Sequence, residues 1–418
     1  MDCSFIPEVL SQHAEEASFL WLTRGRAIHA PHYSLKDLTD LDNRLDAHID
    51  GLRIAGADAW PFIDENLALE EAGEVFTAAV MAFDASINER VRNAVTMGCR
   101  TPGNFSALVS ALGWHPYSRV EIWIDRFLSS PRQKLRHLAI AACAIHRHDP
   151  GTALDKAVVD DYLPLRARAL RAVGELKRRD LSTVLLANLD SNDEACRFWA
   201  AWSATLLRER NALAVLQAFA ETESGFQHRA FQLLLRTMSL DQARNWLNSL
   251  SDRPAFTRLL VQGAGMLGDP AVIPWLLEQM KIPAIARVAG EAFSSITGVD
   301  ISYQDLEGEQ PEGFEAGPND NPGDDSVDLD QDENLPWPAP DLVDGLWTAH
   351  GQHYHAGTRY LIGQPITEKS ARQALLFGTQ RQRNAAALEL ALLLPDEHLF
   401  EVRGPGFRQK ALLPEVEQ

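Results

Sequence analysis

One arginine recurs about every 30 residues through the middle of this 418-residue chain, and each copy opens a segment rich in small or aliphatic residues. The segments read RHLAIAACA, RARALRAVG, RFWAAWSAT, RAFQLLLRT, RLLVQGAGM and RVAGEAFSS. Spaced 30, 31, 32, 29 and 29 residues apart, their arginines are Arg136, Arg166, Arg197, Arg229, Arg258 and Arg287. A fixed period in this range is typical of repeat architectures, so it limits the possible folds more than any other feature of the sequence.

Short polar breaks recur in step with the arginines and indicate where new helices begin. Spaced 28 to 31 residues apart, they carry Asp149, Asp180, Asn211, Asp241 and Asp269. Asp or Asn before an apolar run is typical of a helix N-cap, and the proline that follows Asp149 and Asp269 suits a first helical turn. Apolar residues then follow at three- and four-residue spacing, as in LSTVLLANL and ALAVLQAFA. Each unit is therefore predicted to be a helix, a short turn and a second helix.

One helix pair of this size cannot bury both of its faces, whereas stacked neighbours supply the missing core. The small residues after each arginine would let adjacent helices approach closely. We therefore predict an all-α protein in which residues 131–300 form a right-handed α-solenoid. Two roles are open for the recurring arginine: a bond to a carbonyl or carboxylate of the preceding repeat, or a ladder that binds an anionic ligand. The acidic net charge favours the bond.

The flanks of the repeat array divide into three further segments. Residues 1–130 are expected to form an N-terminal helical region with irregular repeats, including one amphipathic helix over LKDLTDLDNRLDAHIDGLRIAG. Residues 301–335 contain 12 acidic residues and neither Lys nor Arg, which is the composition of a disordered, flexible linker or loop. Residues 336–418 are expected to add capping repeats, with Arg383 opening an alanine- and leucine-rich helix.

The acidic segment contains a pattern that resembles a calcium-binding loop. Its alternating carboxylates are Asp328, Asp330 and Asp332. Glu333 stands where such a loop needs a glycine for its turn, and Ala339 stands where it needs a bidentate glutamate. An acidic flexible loop is therefore the favoured interpretation.

Three histidines with H-x-x-H-x-H spacing form a second candidate metal site, and they are His350, His353 and His355. Ligands at such short spacing can share a loop, but no carboxylate or fourth ligand stands at a suitable position. We interpret them as surface or structural histidines. The sequence accordingly predicts no metal, no cofactor and no catalytic residue.

Tryptophan is frequent, with ten copies, and its placement suggests two different roles. Trp199 and Trp202 lie three residues apart on one predicted helix and are expected to pack in the core. Trp114, Trp337 and Trp347 lie in loop-like segments, where exposed tryptophans would be binding anchors. The four cysteines include no CxxC pair, so reduced, buried thiols are expected.

The formal net charge of −19 limits the classes of partner. Such a surface repels phosphate backbones unless a local basic patch overrides it, so nucleic acid is not expected to bind. The chain has no run of about 18 apolar residues and no basic region before an apolar run at its start, so we expect a cytoplasmic protein without membrane contact. Motifs of the GxSxG, GxxxxGK[ST] and HExxH types do not occur, although a Cys–His pair distant in sequence remains open.

The unit length, the Asp-Pro breaks and the arginine followed by small residues resemble HEAT repeats of the short, phycobilisome-lyase-like kind. A more particular resemblance rests on HAEEASFLW, LDNRLDAHIDGLRIAG, GTRYLIGQPIT and RQRNAAALELAL. These segments look like an uncharacterised bacterial family of HEAT-repeat proteins that is encoded beside type VI secretion spike and effector components.

That resemblance implies a non-enzymatic, protein-binding scaffold, namely an adaptor or chaperone for a type VI secretion effector or spike component. The first alternative is an immunity protein that masks a toxin, because an acidic scaffold suits a basic toxin. The second is an enzyme on a HEAT-like frame, such as a DNA glycosylase, which would need a basic groove that the acidic balance speaks against. The protein partner, its contact surface and the oligomeric state cannot be read from the sequence.

Overall fold

The computed structural model describes residues 5–317 and 330–413, and helices dominate both ranges. Within them, β-structure consists of an antiparallel pair, β1 (Tyr360–Leu361) and β2 (Gln364–Pro365), and an isolated bridge between Glu307 and Pro338. The prediction of an all-α protein is therefore confirmed.

The chain divides into two compact units. The first comprises Met1–His29, Tyr33–Val215 and Pro395–Gln418, and the second comprises Ala30–His32 and Leu216–Leu394. The division between Val215 and Leu216 falls inside the region predicted as one repeat array.

The first unit contains helices α1 to α12 and helix α22, which lies close to the end of the described residues. They are α1 (Pro7–Ala27), α2 (Leu35–Ala55), α3 (Trp60–Leu67), α4 (Ala72–Ala85), α5 (Asn88–Gly98), α6 (Pro102–Trp114), α7 (Tyr117–Leu128), α8 (Gln133–His146), α9 (Thr152–Ala157), α10 (Leu163–Glu175), α11 (Ser182–Ala187), α12 (Glu194–Leu206) and α22 (Gly406–Leu412). Short 3-10 helices occur at Gly56–Ala59, Arg179–Leu181 and Arg210–Ala212.

Helix α13 (Leu213–Ala220) spans the division, and the second unit holds the remaining helices. They are α14 (Gln227–Thr237), α15 (Leu240–Leu250), α16 (Thr257–Leu267), α17 (Ile273–Gln279), α18 (Pro283–Thr297), α19 (Pro340–His350), α20 (Glu368–Phe377) and α21 (Gln380–Leu393). Its 3-10 helices are Pro254–Phe256, Pro270–Val272 and Gly351–His353.

Each recurring arginine lies within the first five residues of a helix, and these helices are α8, α10, α12, α14, α16 and α18. In the first unit α8 packs on α10 and α10 packs on α12, while in the second unit α14 packs on α16 and α16 on α18. Small residues make the contacts close. A Cβ on Gly174 would lie 2.7 Å from the Cα of Ser203, and one on Gly265 would lie 2.8 Å from the Cα of Ala292.

A left-handed residue ends most of the arginine-headed helices and forms a marker that the sequence pattern did not reveal. These residues, with φ between 55° and 74°, are Arg147, Lys177, Arg208, Gly268 and Gly298. Glycine adopts this conformation without cost, whereas other residues pay about 1–2 kcal/mol. The second unit thus uses glycine where the first unit uses a basic side chain, so a search for C-terminal glycines finds only part of the period.

Three of the recurring arginines hold the turns between helices. Arg136 forms an ion pair with Asp160 at 2.7 Å, and Arg166 donates from Nε to the Asp160 carbonyl at 2.8 Å. Arg197 donates to the carbonyl of Ser191 at 2.5 Å. Arg136 also donates from Nη1 to the carbonyls of Ser130 and Pro131, both at 3.1 Å. All three arginines therefore bond to the turn before their own helix, and Arg136 bonds in addition to the turn before the next arginine-headed helix.

The described ends of the predicted flexible linker contact the second unit through defined bonds. Gly308 donates to the carbonyl of Trp337 at 2.7 Å, and Ala339 donates to the carbonyl of Leu306 at 2.8 Å. This acidic segment also contains apolar side chains that are buried, namely Ile301, Leu306 and Leu335. Residues 318–329 lie outside the described residues, so the flexibility predicted for them stays a prediction.

Candidate binding cleft in the first unit

A cleft of about 760 Å³ lies in the first unit, between helices and one extended segment. Its walls come from α1, α6, α8, α10 and the segment Glu401–Pro405. A volume of this size falls in the range of pockets that bury most of a small ligand.

Two of the arginine-headed helices supply polar side chains that line the cleft. Lys134 and His137 lie on α8, and Arg168 and Arg171 lie on α10. Arg168 follows the recurring Arg166 by two positions, about 200° around the helix, so it projects from a different face. The recurring arginines hold turns, while their neighbours on the same helices line the cleft.

Glu175, at the end of α10, is the buried centre of this charge cluster, with its side chain 1% exposed. It accepts a hydrogen bond from Nη1 of Arg168 at 2.9 Å and pairs with Nε of Arg171 at 2.8 Å. Nη1 of Arg147 lies 3.9 Å away. Burial alone would raise the pKa of Glu175, but these three guanidinium groups outweigh it and lower the pKa to about 2.

A second carboxylate, Glu401, joins the same cluster from the C-terminal segment. Arg403 binds it through Nε at 3.0 Å and Nη2 at 3.2 Å, and Nη2 of Arg147 lies 3.3 Å from it. Although burial acts to raise the pKa of Glu401, Arg403 and Arg147 hold it well below its usual range. Four guanidinium groups therefore share two carboxylates, Glu175 and Glu401.

Arg171 is an arginine of the cluster whose surroundings lower its pKa. Burial lowers its pKa to about 9, and the nearby cations of Arg403 and Arg168 act in the same direction against the opposing effect of Glu175. Its guanidinium also lies over the ring of Trp199, 4.5 Å from the centroid. A further negative charge in the cleft would stabilise this cation.

The segment that carries Glu401 and Arg403 is anchored to the N-terminal helices. Arg24 pairs with the fully buried Asp42 at 2.6 Å and donates from Nη2 to the carbonyls of Arg403 at 3.0 Å and Gly404 at 2.7 Å. Asp42 in turn accepts from the backbone N–H of Gly406 at 2.7 Å. Glycine is required at this last position, because a Cβ there would lie 2.5 Å from Oγ1 of Thr39.

Aromatic rings form the other side of the cleft. The centroid of the His137 ring lies 4.5 Å from the ring centroid of Phe105 and 6.3 Å from that of Tyr162. Burial, aided by the cation of Arg168, lowers the pKa of His137 to about 4, so this ring is neutral at pH 7. The cleft thus pairs cationic groups with neutral ring surfaces, which is a chemistry suited to recognition.

Cys99 lines the cleft and is therefore a candidate for the Cys–His nucleophile pair that the sequence left open. Burial raises the pKa of its thiol, despite the opposing cations of Lys134 and Arg132. Lys134 directs its ammonium to the Cys99 carbonyl at 3.2 Å. A raised pKa means that this thiol carries less of the thiolate that nucleophilic catalysis needs than an ordinary cysteine does.

The three histidines considered as metal ligands lie around the end of α19 in the second unit. Nδ1 of His353 contacts the carbonyl of His350 at 2.9 Å, and His355 donates its backbone N–H to the hydroxyl of Tyr360. Within residues 5–317 and 330–413, no group of three or more His, Cys, Asp or Glu side chains is placed to hold a metal ion.

The aspartates that resemble a calcium loop serve as partners for two recurring arginines. Asp332 receives both terminal nitrogens of Arg258, at 2.6 and 2.7 Å, and Asp330 pairs with Arg287 at 2.7 Å. Arg287 also lies over the ring of Trp337, 4.6 Å from its centroid. Asp328 lies outside the described residues. Arginine, rather than a cation from solution, therefore neutralises the two described carboxylates.

Of the tryptophans proposed as anchors, Trp114 is buried, and Trp337 and Trp347 are partly buried. Trp114 is the last residue of α6, is 5% exposed and packs edge-on against Phe76. Trp347 belongs to α19 and is partly buried against Phe293. Trp275, which the sequence reasoning did not select, is 42% exposed. Trp114 and Trp347 thus lie in helices rather than in the loops expected from the sequence, whereas Trp337 precedes α19.

Gly263, Gly265 and Gly268 match the pattern GxGxxG, which can mark a phosphate-binding turn between a strand and a helix. Here Gly263 and Gly265 lie inside α16, and Gly268 ends it with φ at 74°. A Cβ on Gly263 would lie 2.6 Å from the ring of Phe231. These glycines therefore permit helix packing, and the match has no strand before it.

In comparisons with family models, curated proteins and solved structures, no match to this chain was found. In the described part of the chain, no helix is both long and apolar enough to cross a membrane. The candidate site is therefore defined by its geometry.

Proposed function

We propose that this protein is a non-enzymatic, protein-binding scaffold that acts as an adaptor or chaperone for a type VI secretion effector or spike component. The repeated helix pairs are proposed to belong to a right-handed α-solenoid of HEAT-like repeats. The observation that carries the proposal is the cleft of the first unit, whose walls come from the repeated helices α8 and α10.

The chemistry of the cleft supports binding over catalysis. Its guanidinium groups are engaged with Glu175 and Glu401, and its histidine, His137, is neutral at pH 7 with a pKa of about 4. The Cys99 thiol has a raised pKa because it is partly buried. Groups held in this way recognise a ligand by charge and shape, whereas a nucleophile and base need tuned proton affinities.

Co-expression with the effector and spike proteins encoded beside the gene tests this proposal. A stable complex that survives size-exclusion chromatography is expected with one of them. A matched control is the same experiment with an effector from an unrelated secretion cluster, which should not co-elute. If the neighbouring proteins remain unbound while the purified chain turns over a substrate, the scaffold proposal is wrong.

The alternative role as an immunity protein is favoured by the net charge of −19, which suits a basic toxin. Deletion of this gene alone separates the two roles. Loss of effector delivery from healthy cells indicates an adaptor, whereas self-intoxication that is rescued by inactivating the toxin indicates immunity.

A further inference from the structure

The cleft of the first unit concentrates positive charge in a protein that is acidic overall. Arg147, Arg168, Arg171 and Arg403 share only the two carboxylates of Glu175 and Glu401 within the cluster's ion pairs, which leaves two positive charges. Lys134 adds a third at the rim, where its ammonium binds a backbone carbonyl.

Three of these arginines line the cleft. The side chains of Arg168, Arg171 and Arg403 are 15%, 23% and 36% exposed, respectively. Each guanidinium has five N–H donors, and the bonds to Glu175 and Glu401 occupy only some of them. Donors that are partly desolvated in a concave site bind a further anion more strongly than donors on an open surface.

The surroundings favour a carboxylate over an extended polyanion. The planar fork of arginine matches a carboxylate, as its bonds to Glu175 and Glu401 already illustrate. The net charge of −19 repels a long phosphate backbone, while a short acidic segment meets chiefly the local positive charge. Beside the guanidinium groups, the rings of Phe105 and His137 offer apolar surface to neighbouring side chains.

We propose that this cleft binds a short acidic peptide segment of a protein partner. A carboxylate of the segment is received by Arg168, Arg171 and Arg403, and an adjacent apolar side chain packs on Phe105 and His137. The inference rests on the proposed scaffold function and names the chemistry of the partner's contact segment.

The test is selection from a phage-displayed library of random heptapeptides on the whole protein. Wild type is expected to enrich peptides rich in Glu or Asp next to aromatic or aliphatic residues. A synthetic copy of the most enriched peptide should bind at least tenfold more tightly than its twin with Gln in place of Glu.

Two variants place the binding in the cleft and leave the Glu175 cluster intact. Lys134→Glu reverses an exposed charge at the rim, and Ser106→Trp fills the cleft from an exposed position on α6. Each substitution should lower the affinity for the peptide at least tenfold. Lys369→Glu, which changes an exposed residue on α20, should leave the affinity unchanged. Far-UV circular dichroism checks that all three variants fold.

Several results would overturn the inference. They are the absence of enrichment, enrichment without acidic residues, and equal binding by Lys134→Glu and wild type. Tighter binding of an eight-nucleotide oligothymidylate that displaces the peptide would assign the cleft to nucleic acid instead. If a neighbouring protein binds wild type and both cleft variants equally, the scaffold stands and the cleft proposal fails. If the peptide binds the cleft but no protein encoded beside the gene co-elutes, the cleft proposal stands and the proposed secretion partner is wrong.

Discussion

Arg136 on α8 and Asp160 in the turn before α10 form an ion pair at 2.7 Å, and the carbonyl of the same aspartate accepts a hydrogen bond from Arg166. Asp160 therefore connects two successive arginine-headed helices through its side chain and its backbone. The side chain also accepts from the N–H of Tyr162 at 2.9 Å, just before α10 begins. In the first unit, the recurring arginines thus fix the turns between helices.

Replacing Asp160 by Asn is expected to lower the free energy of unfolding by about 1–3 kcal/mol, because it removes the charge that pairs with Arg136. Urea denaturation of the purified protein measures this change. Asp161→Asn is the matched control, since the Asp161 side chain is fully exposed and lies 3.8 Å from Arg166. Equal effects of the two substitutions would show that Arg136 gains nothing from Asp160.

Replacing Glu175 by Gln is expected to cost about 3–5 kcal/mol, because Arg168 and Arg171 would keep their charges around a neutral amide. Glu194→Gln, in the exposed first turn of α12, should cost only a few tenths of a kcal/mol. Guanidinium-induced unfolding followed by tryptophan fluorescence measures both. A variant at position 175 that is as stable as wild type would contradict the account of the cluster.

The same residue predicts a defined acid dependence. The pKa of Glu175 falls from 4.5 to about 2 on folding, so the unfolded chain binds its proton first as the pH falls. Its stabilisation is complete above about pH 4.5 and is lost toward pH 2. The difference in unfolding free energy between wild type and Glu175→Gln should therefore shrink across that interval. A difference that stays constant would rule out the lowered pKa.

His146 predicts a second dependence at milder pH. Its Nε2 contacts the carbonyl of Leu112 at 3.0 Å and its Nδ1 contacts Nη1 of Arg408 at 3.1 Å, so the folded ring is neutral. Burial, together with Arg408, lowers its pKa from 6.5 to about 4. Its contribution is therefore present above about pH 6.5 and is lost as the pH falls toward 4.

The substitution His146→Asn should reduce proton uptake on unfolding at pH 5 by about one proton, read from the slope of unfolding free energy against pH. His355→Asn, at an exposed position after α19, serves as the control and should leave the slope unchanged. An unchanged slope for the variant at position 146 would contradict the neutral state of the ring.

The residues with positive φ that end the arginine-headed helices predict opposite effects of substitution on stability in the two units. Gly268→Ala should cost more than about 2 kcal/mol, because φ is 74° and the added Cβ would lie 2.3 Å from the carbonyl oxygen of Tyr360. Arg208→Gly, at an exposed residue with φ of 67°, should be neutral or stabilising. Thermal unfolding compares the variants, and destabilisation by Arg208→Gly would show that its side chain matters more than its backbone strain.

Local features of the fold could be predicted from the sequence, and long-range ones could not. The recurring arginines lie near helix starts as expected, and α2 forms over Leu35–Ala55 because its apolar residues recur at helical spacing. The partners of these arginines were missed in part, since Arg258 binds Asp332, 74 residues away. The first unit incorporates residues 395–418, which no local period indicates.

The candidate cleft was missed for the same physical reason. Arg147 and Glu401 are 254 positions apart, and Arg24 binds the carbonyl of Gly404 across 380 positions. A repeating sequence pattern indicates which residues lie close together on one helix or on successive helices. It does not indicate contacts between residues that are hundreds of positions apart. A weaker signal was present: Arg168 and Arg171 add basic charge to the α10 segment beyond its recurring arginine, in a chain that is otherwise acidic.

Isothermal titration of any proposed secretion component that co-elutes with this protein tests the central claim most directly. Wild type and Lys369→Glu are expected to bind it equally, and Lys134→Glu is expected to bind at least tenfold more weakly, since it reverses a charge at the cleft. Raising the salt concentration should weaken the wild-type complex for the same reason. Equal affinity of all three proteins would contradict the claim that the cleft of the first unit recognises the partner.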